Sequence, residues 1–436
     1  MSCIRSLLVI CLLGLFTGLL RAETVLFESG FDNDSDGWEI WSPRPEIEPA
    51  ANFDATVGRT RPGSLFMGGA GNEANYGSWR ILVTRAFKES SEVKFSAWFK
   101  TEDVENEMRS IIPRLNWKDE NGKQVRPPDY AAGLEKVKGW TKVEYVTDVP
   151  AGARQLDIQL GFGFAPEGKV WWDDVSLTQV PGKPVRPVRV ATIHHKVRGS
   201  SSVQQNLDEY IALIDQAGKD KPDIICLPEG ITTVGNPFSY VEVAESIPGG
   251  PSTLRLGEAA RRNHCYIVAG IYESVGDIVY NTSILLDRQG QLAGTYRKTH
   301  LPREEWEKGI TPGDDYPVFK TDFGTIGMMI CWDVQFPEPA TALARQGAEL
   351  ILLPIWGGNE TLTKARAIEN HVYLVSSTYD MRSFVLNPLG EVLAEATDDC
   401  GYAVAEIDLD QQYFQNWIGN MKHRTWKERR PDISLQ

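Results

Sequence analysis

The chain has few cysteines, few histidines and no surplus of positive charge, and each shortage removes a class of function. Its 436 residues include 6 cysteines and 6 histidines, and 59 acidic against 45 basic residues give a formal net charge of -14. Because no basic patch balances that charge, the sequence argues against nucleic acid as a partner. So few cysteines in so long a chain do not form a disulfide scaffold. The chain also has no internal repeat and no low-complexity tract.

The N-terminus has a short apolar run, Leu7 to Leu20, that follows the charge of Arg5 and precedes a plausible cleavage site at Ala22. This arrangement is typical of a secretory signal, and the run is short for a stable membrane span. The sequence therefore predicts a signal peptide over residues 1–22 and an exported protein, either periplasmic or extracellular. A retained membrane anchor is the alternative.

Two cysteines beyond this leader lie within apolar runs, Cys226 in PDIICLPEG and Cys265 in NHCYIVAGIY. We expect both to be buried thiols. Because the protein is expected to be exported, a Cys226–Cys265 or a Cys265–Cys400 disulfide stays open as an alternative.

The segment from residue 23 to residue 180 alternates apolar and polar residues and turns often. Runs such as EVKFSAWFKTEDV and RQLDIQLGFGF are bounded by Gly, Pro, Asn and Asp, and no long helical pattern lies between them. The pattern predicts an antiparallel β-sandwich over residues 23–180. The Pro-rich run PGKPVRPV predicts a linker over residues 181–188.

Strands alternate with helices from Arg189 onward. VRVATIHHKV and PDIICLPEG read as strands, whereas SSVQQNLDEYIALIDQAGKD and STLRLGEAARRNH read as helices. The alternation continues through FGTIGMMICWD, ELILLPI and TLTKARAIENH. The sequence therefore predicts an α/β domain over residues 189–436.

Three strand ends in this domain carry reactive side chains: Glu229 in IICLPEG, Lys298 in AGTYRKTHL and Cys331 in GMMICWD. Functional groups of α/β sheets collect at the carboxyl ends of strands. Singly, each residue has an ordinary explanation as a cap, a surface charge or a buried thiol. Together they supply a nucleophile, a carboxylate base and a cation for an oxyanion, which suits acyl transfer.

Residues 189 to about 410 resemble the nitrilase superfamily of carbon–nitrogen hydrolases. The resemblance rests on LPEG with Glu229, YRKTHLP with Lys298 and ICWD with Cys331, in that order, and on TPG, GAELILLPIW and KARAIENHVYLV. It implies a four-layer α-β-β-α sandwich and a thioester on Cys331, with Glu229 as general base and acid. It also implies an oxyanion held by Lys298 and the backbone N–H of Trp332, no catalytic cofactor, and a homodimer or larger homo-oligomer.

Members of this superfamily often carry a second pocket glutamate between the lysine and the Pro-Gly. PREEWEKGITPG offers Glu304, Glu305 and Glu307. Glu307 is favoured because an acidic residue shortly before this Pro-Gly resembles the usual arrangement. A solvated acidic loop is the alternative.

The residues after the nucleophile indicate which branch of the superfamily the chain resembles. Asp333 resembles amidase and carbamoylase branches, whereas nitrile-cleaving branches more often have glutamate there. Gln335 stands where branches that bind a substrate carboxylate often place an arginine, so an acidic substrate is not expected there. CWDVQFPE is closer to carbamoylputrescine-type amidases, whose substrates carry amines. Trp332, Asp333, Gln335 and Glu307 are therefore predicted pocket residues.

Aromatic candidates for the pocket wall are Trp306, Trp332, Trp356 and Tyr379.

The predicted reaction is the hydrolysis of a linear amide or an N-carbamoyl compound with release of ammonia. A nitrilase is the alternative within the superfamily. A secreted carbohydrate-binding protein with a silent hydrolase domain is the alternative of another class.

The front domain resembles carbohydrate-binding modules of the galactose-binding-like jelly-roll type. The matching runs are LFESGFDNDSDGW, WTKVEYVTDVPAGARQLDIQLGF and VWWDDVSL. The resemblance implies a glycan partner and a structural calcium with Glu28 and Asp174 as candidate ligands. Six tryptophans are candidates for stacking on sugars, with a core role as the alternative for each: Trp38, Trp41, Trp79, Trp98, Trp140 and Trp171.

Overall fold

The chain forms two compact units in the computed structural model, which describes residues 24–183, 185–415, 417–430 and 433. The predicted signal peptide therefore lies outside the described residues. The first unit holds the described residues up to Lys183, residues 417–419 and those from His423 onward; the second holds residues 185–415 and 420–422. The division falls within the predicted linker. Within the described ranges, no helix is both long enough and apolar enough to cross a membrane.

The first unit is built from strands, with one short helix, α1 (Glu107–Ser110), and a 3-10 turn at Pro45–Ile47. In chain order the strands are β1 (Thr24–Ser29), β2 (Glu39–Trp41), β3 (Ala50–Asp54), β4 (Ser64–Gly68), β5 (Tyr76–Thr84), β6 (Glu92–Glu102), β7 (Ile111–Lys118), β8 (Asp129–Tyr130), β9 (Ala132–Val137), β10 (Trp140–Asp148), β11 (Gln155–Gly163) and β12 (Lys169–Val180). A seven-stranded sheet has the order β3-β4-β12-β6-β10-β9, with β1 also paired to β12, and a five-stranded sheet has the order β2-β5-β11-β7-β8.

Alternating burial along the strands explains this sandwich. In β7 the buried positions Leu115 and Trp117 alternate with half-buried polar residues, and in β6 the core residues Val93, Phe95, Ala97 and Phe99 lie at every second position. Side chains of a strand point to opposite faces in turn, so each sheet has one apolar face. These faces meet in one core cluster. All the strand pairs are antiparallel, as the sequence predicts.

The last helix of the chain, α7 (Met421–Glu428), places its residues from His423 onward in the first unit. Lys427 Nζ donates to the carbonyl oxygens of Ile111 at 2.7 Å and Met108 at 3.4 Å. The ring of His423 meets Tyr145 edge-on, with 5.4 Å between centroids. The prediction that the α/β domain extends to residue 436 is therefore wrong for this segment. Its partners lie far back in the chain, where a local pattern cannot show them.

The second unit alternates strands and helices. In chain order they are β13 (Pro187–Ile193), α2 (Val203–Ala217), β14 (Ile224–Cys226), α3 (Pro251–Asn263), β15 (Tyr266–Val275), β16 (Ile278–Leu286), β17 (Leu292–Arg297), α4 (Arg303–Glu307), β18 (Ile310–Thr311), β19 (Val318–Lys320), β20 (Thr325–Met328), α5 (Glu338–Arg345), β21 (Leu350–Pro354), α6 (Glu360–Asn370), β22 (Tyr373–Ser377), β23 (Ser383–Leu386), β24 (Val392–Ala396) and β25 (Tyr402–Asp408). Two-residue strands follow at Phe414–Gln415 and Gly419–Asn420, and 3-10 turns lie at Gly218–Asp220 and Cys331–Gln335.

Two sheets form the centre of the second unit. Their strand orders are β17-β16-β15-β14-β13-β25, with β18 beside β16, and β19-β20-β21-β22-β23-β24. Val190 and Ile224 of the first sheet share a buried cluster with Met328 and Leu352 of the second. Helices α2 and α3 cover the outside of the first sheet, while α5 and α6 pack on the second. The layers therefore follow the predicted α-β-β-α order.

The four cysteines among the described residues are all free. Cys226 and Cys265 are buried, and burial raises the pKa of Cys265 to about 12. The buried-thiol prediction is therefore confirmed for both. The two alternative disulfides are wrong, because Cys226, Cys265 and Cys400 are all free thiols.

The two predicted calcium ligands do not form a carboxylate cluster. Asp174 accepts hydrogen bonds from the side chains of Arg59 and Thr60, so a guanidinium already neutralises it. Glu28 is exposed on β1. In the part of the chain that the structure describes, no three His, Cys, Asp or Glu side chains are grouped to hold a metal. Glu28 and Asp174 therefore do not fit a calcium ion in this arrangement.

Candidate active site

Three strand ends bring Glu229, Lys298 and Cys331 to one edge of the second unit. Glu229 lies three residues beyond β14, Lys298 directly follows β17, and Cys331 lies three residues beyond β20. Lys298 Nζ donates to Glu229 Oε1 at 2.9 Å, and both side chains are buried. The thiol of Cys331 lies close enough to Glu229 and Lys298 for both charges to shift its pKa. The structure thus brings together the three residues that the sequence predicts as catalytic.

Cys331 stands at a sharp turn of the backbone. Its φ of +41° is a left-handed conformation that few residues with a side chain adopt, and it opens the 3-10 turn Cys331–Gln335. Such strain is commonly kept at functional positions. The thiol points toward the carbonyl oxygen of Gly357, with 3.8 Å between Sγ and O. The turn therefore lifts the thiol out of the strand direction while leaving it largely enclosed.

The second pocket glutamate is Glu305. Its carboxylate oxygens lie 3.1 Å and 3.0 Å from Lys298 Nζ. The favoured candidate, Glu307, is exposed on α4 and pairs with Arg303 at 2.8 Å, so that prediction is wrong. Residues two apart on a helix point in nearly opposite directions, which is why only one of the pair can face the lysine. Glu304 is also exposed.

Two further groups hold the carboxylate of Glu229 and a third holds its backbone carbonyl oxygen, and none of these three bonds was predicted. Asn281 Nδ2 donates to Glu229 Oε1 and to Glu305 Oε1, each at 2.8 Å. The backbone N–H of Trp356 donates to Glu229 Oε2 at 3.1 Å, and the Tyr379 hydroxyl donates to the Glu229 carbonyl oxygen. These bonds fix both carboxylates around the ammonium. The run VYNTSILLD gave no chemical signal for Asn281, since an asparagine within a strand is usually structural.

Burial and the neighbouring charges shift the pKa values of Lys298, Glu305 and Cys331. Burial lowers the pKa of Lys298, but the nearby Glu229, Cys331 and Glu305 outweigh it, so the lysine pKa is raised and the ammonium stays charged. Burial raises the pKa of Glu305, and the neighbouring Glu229 adds to this against the lowering by Lys298. Burial also raises the pKa of the Cys331 thiol, and Glu229 raises it further than Lys298 lowers it. The thiol is therefore neutral at rest and needs a base when it attacks.

The other predicted pocket residues occupy different places. Trp332 is exposed and Gln335 is half-buried. Asp333 is fully buried beneath the turn, where its Oδ2 accepts from the Ile330 N–H at 2.9 Å and from the Tyr296 hydroxyl at 2.7 Å. Because both carboxylate oxygens are used by the protein, the prediction that Asp333 lines the pocket is wrong.

The aromatic residues predicted for the pocket wall lie in different places. Trp356 and Tyr379 pack edge-on with 5.1 Å between centroids, and both touch Glu229 through hydrogen bonds. Trp306 is 63% exposed on α4, so it belongs to the surface around the site. Taken together, the cluster offers an enclosed thiol, a fixed carboxylate and a permanent cation, which is the equipment for acyl transfer through a covalent intermediate.

Comparison with known proteins agrees with this geometry. Residues 188–415, more than half of the chain, match the family model of the carbon-nitrogen hydrolases. The nitrilase of Pyrococcus abyssi is 35% identical over 226 residues, which cover 47% of this chain and 84% of that protein. The omega-amidase NIT2 of Bos taurus is 31% identical over 250 residues, 51% of this chain and 88% of that one.

A third relative is the deaminated glutathione amidase of Synechocystis sp., 31% identical over 257 residues, which cover 52% of this chain and 94% of that protein. The matched region contains Glu229, Lys298, Glu305 and Cys331, and it lies within the second unit. The chain belongs to the carbon–nitrogen hydrolase family of enzymes.

Proposed function

We propose that this protein hydrolyses a linear amide or an N-carbamoyl compound and releases ammonia. The observation that carries the proposal is the position of Cys331, whose enclosed thiol opens a turn beside the buried Glu229–Lys298 pair. Two of the three relatives named above are amidases, which supports amide cleavage.

The first half of the reaction forms a thioester. The sulfur of Cys331 attacks the carbonyl carbon while its proton passes to the carboxylate of Glu229. The carbonyl oxygen gains the negative charge, which the ammonium of Lys298 and the backbone N–H of Trp332 stabilise. When the C–N bond breaks, Glu229 returns the proton to the nitrogen, and ammonia leaves. Because the thiol starts neutral, Glu229 has to take its proton before or during the attack.

The second half consumes a water molecule. Glu229 takes one proton from the water as its oxygen attacks the thioester carbon. The C–S bond then breaks, and the proton restores the thiol. Asn281 and Trp356 hold Glu229 in one place throughout, so the same carboxylate serves both halves. Glu305 shares the ammonium of Lys298 and so fixes its position.

The residues near the nucleophile shape the substrate proposal. Gln335 supplies no cation for a substrate carboxylate, which favours neutral or amine-bearing amides. Asp333 acts on the turn rather than on the substrate, so its resemblance to amidase branches concerns how the thiol is presented.

Ammonia release from a series of linear amides and N-carbamoyl amines tests the proposal. Cys331→Ala removes the attacking sulfur, and we expect the rate to fall by about a thousandfold or more. The exposed Cys400 provides the matched control, and Cys400→Ala should keep the full rate. Equal rates of ammonia release from Cys331→Ala and the unaltered protein would contradict the proposal.

Nitrile hydrolysis is the second candidate, because the Pyrococcus abyssi relative is named a nitrilase. The same thiol would attack the nitrile carbon. Matched pairs of an amide and its nitrile separate the two candidates, and we expect the amide to be the faster substrate. A silent hydrolase unit with glycan binding alone would release no ammonia from either compound.

Export, assembly and glycan binding complete the proposal. We expect a mature protein whose first residue is Glu23, which N-terminal sequencing of the exported material checks. We also expect a homodimer or larger homo-oligomer, which light scattering of the purified protein checks. A glycan is the proposed partner of the first unit.

A further inference from the structure

A cavity of about 350 Å³ lies within the first unit, beside the apolar core of the sandwich. Phe99 of β6 and Val143 of β10 line it, and both belong to the core cluster. Thr141 lies opposite Phe99 in the register of these two strands, so it points to the same side of the sheet. Ile111, at the start of β7 in the other sheet, is a core residue that also lines the cavity. The cavity therefore continues the core and does not lie on the outer face of either sheet.

One face of α7 forms another wall of this cavity. His423, Trp426 and Lys427 line it, and because they are three and four residues apart they project from the same side of the helix. No residue of α7 is fully buried, so the helix covers the cavity without filling it.

Lys427 brings an ammonium group to these apolar walls without an acidic partner. Its Nζ donates to the carbonyl oxygens of Ile111 at 2.7 Å and Met108 at 3.4 Å. An ammonium has three N–H donors, so these two carbonyls leave one donor over. Over the described ranges no carboxylate pairs with this amine, and burial lowers its pKa to about 8. Buried charges are ordinarily paired, which indicates that the cavity lacks an anion.

The acidic residues that line the cavity do not neutralise Lys427. Glu107 of α1 accepts a hydrogen bond from the Thr101 hydroxyl and lies 3.8 Å from Lys136 Nζ. Glu135 of β9 is exposed to solvent, as is Lys136 beside it. Burial alone accounts for the lowered pKa of Lys427, so neither carboxylate offsets its charge. Lys427 is therefore the cation that remains for an anionic ligand.

We infer that this cavity binds a monocarboxylate with an apolar chain, the carboxylate on Lys427 and the chain against Phe99 and Val143. A carboxylate supplies both the charge and the acceptor that the ammonium lacks. The chain removes apolar walls from water, as in most small-molecule sites. At about 30 Å³ for each water-sized group, the cavity has room for about a dozen heavy atoms, which is the size of decanoate.

This site is distinct from the proposed glycan partner of the first unit and does not rest on the amide chemistry of the second. The walls of the cavity that the structure describes include none of the six tryptophans considered for stacking on sugars. Four of those six are buried: Trp38, Trp79, Trp140 and Trp171.

Titration of the full-length protein with decanoate, followed by tryptophan fluorescence, tests the inference. Decan-1-ol is the matched ligand with the same chain and no charge, and we expect it to bind more weakly. Lys427→Met should weaken decanoate binding by about tenfold or more, because a buried carboxylate loses its cation. Lys142→Met is the matched control, since Lys142 points to the opposite side of β10 and pairs there with Glu144 at 2.6 Å. It should bind like the parent.

A pH series on the unaltered protein gives a second measurement that needs no variant. Because the carboxylate binds the charged amine, decanoate affinity should fall by about tenfold or more from about pH 7.5 to about pH 9.5. Decan-1-ol should show no such fall. The charged and titratable groups around the amine are Glu107 of α1, Glu135 and Lys136 of β9, Tyr145 of β10, and His423 and Arg429 of α7.

Three results would overturn the inference: no decanoate binding, equal decanoate affinity in Lys427→Met and the parent, or decan-1-ol binding as tightly as decanoate. If Lys427→Met does not fold, the pH series decides, and an affinity that stays constant over that range would contradict the role of the amine. Lys427→Met should release ammonia at the parental rate. The carboxylate site and the proposed hydrolase function can therefore fail separately.

Discussion

Asn281 connects the two carboxylates of the active site through a single amide group. Its Nδ2 lies 2.8 Å from Glu229 Oε1 and 2.8 Å from Glu305 Oε1. Hydrogen bonds to charged groups are stronger than neutral ones and also fix direction. Asn281 is thus a positioning residue, because it acts on the substrate only through Glu229 and Glu305.

Replacing Asn281 by alanine should lower kcat by about 10- to 100-fold, since a hydrogen bond to a charged group contributes about 1.5–3 kcal/mol. The substrate KM should change little. Steady-state ammonia release measures both constants. Asn387 is equally buried and bonds Glu391 at 2.7 Å outside the site, so Asn387→Ala is the control for loss of a buried amide. An unchanged kcat in Asn281→Ala would contradict the positioning role.

The sequence identifies Glu229, Lys298 and Cys331 because each combines a reactive group with a strand end. It fails between Glu305 and Glu307, since the choice depends on the rotation of a five-residue helix that has no clear apolar stripe. It also misses Asn281, because an amide within a strand has no distinctive chemistry until its neighbours are known.

At the scale of elements, the turn Cys331–Gln335 determines how the nucleophile is presented. Asp333 holds it from below through the Ile330 N–H, the Tyr296 hydroxyl and the His300 N–H. Arg366 of α6, also buried, donates to the Val334 carbonyl oxygen at 3.1 Å. The turn is therefore fixed by β17 with the residues that follow it and by α6, which keeps a strained backbone in place.

Asp333→Ala should lower kcat by tenfold or more and leave KM nearly unchanged, because the side chain supports the turn and is fully buried. It should also lower the stability of the second unit by about 2–3 kcal/mol, since buried donors lose their partner. Kinetics and urea unfolding measure the two effects. Asp208→Ala on the surface of α2 is the control. A large rise in KM at constant kcat would mean that Asp333 contacts the substrate.

The order of strands and helices in the second unit follows from the sequence because buried parallel strands are short apolar runs, as ELILLPI shows at β21. The sequence does not predict in the same way which polar side chains meet on the outer face of the five-stranded sheet. A strand pattern shows which residues point outward, but pairing between β2, β5, β11 and β7 decides which of them meet.

At the scale of the whole molecule, the first unit is assembled from stretches that lie on both sides of the second unit in the chain. Lys427 donates to backbone carbonyl oxygens of Ile111 and Met108, and burial lowers its pKa to about 8. In the unfolded chain the same lysine has its ordinary pKa of about 10.4. Between these two values the unfolded state binds more protons, so stability rises with pH across that window.

We therefore expect the first unit to gain stability relative to Lys427→Met as the pH rises from about 8 to about 10.4. Thermal unfolding of both proteins, followed by tryptophan fluorescence, measures the difference. Glu428→Ala, which alters an exposed neighbour on α7, should show no such trend. A difference that stays constant over this window, or shrinks, would contradict the burial of the amine.

The position of α7 also has a consequence for the order of events during synthesis. The strands from β1 to β12 leave the ribosome first, whereas His423 and Lys427 follow the catalytic unit in the chain. The contacts that α7 makes with Tyr145 and Ile111 therefore form only after the whole catalytic unit has been translated. Translation that stops between residues 415 and 423 would give a chain with every catalytic residue but without the part of α7 that packs on the front domain.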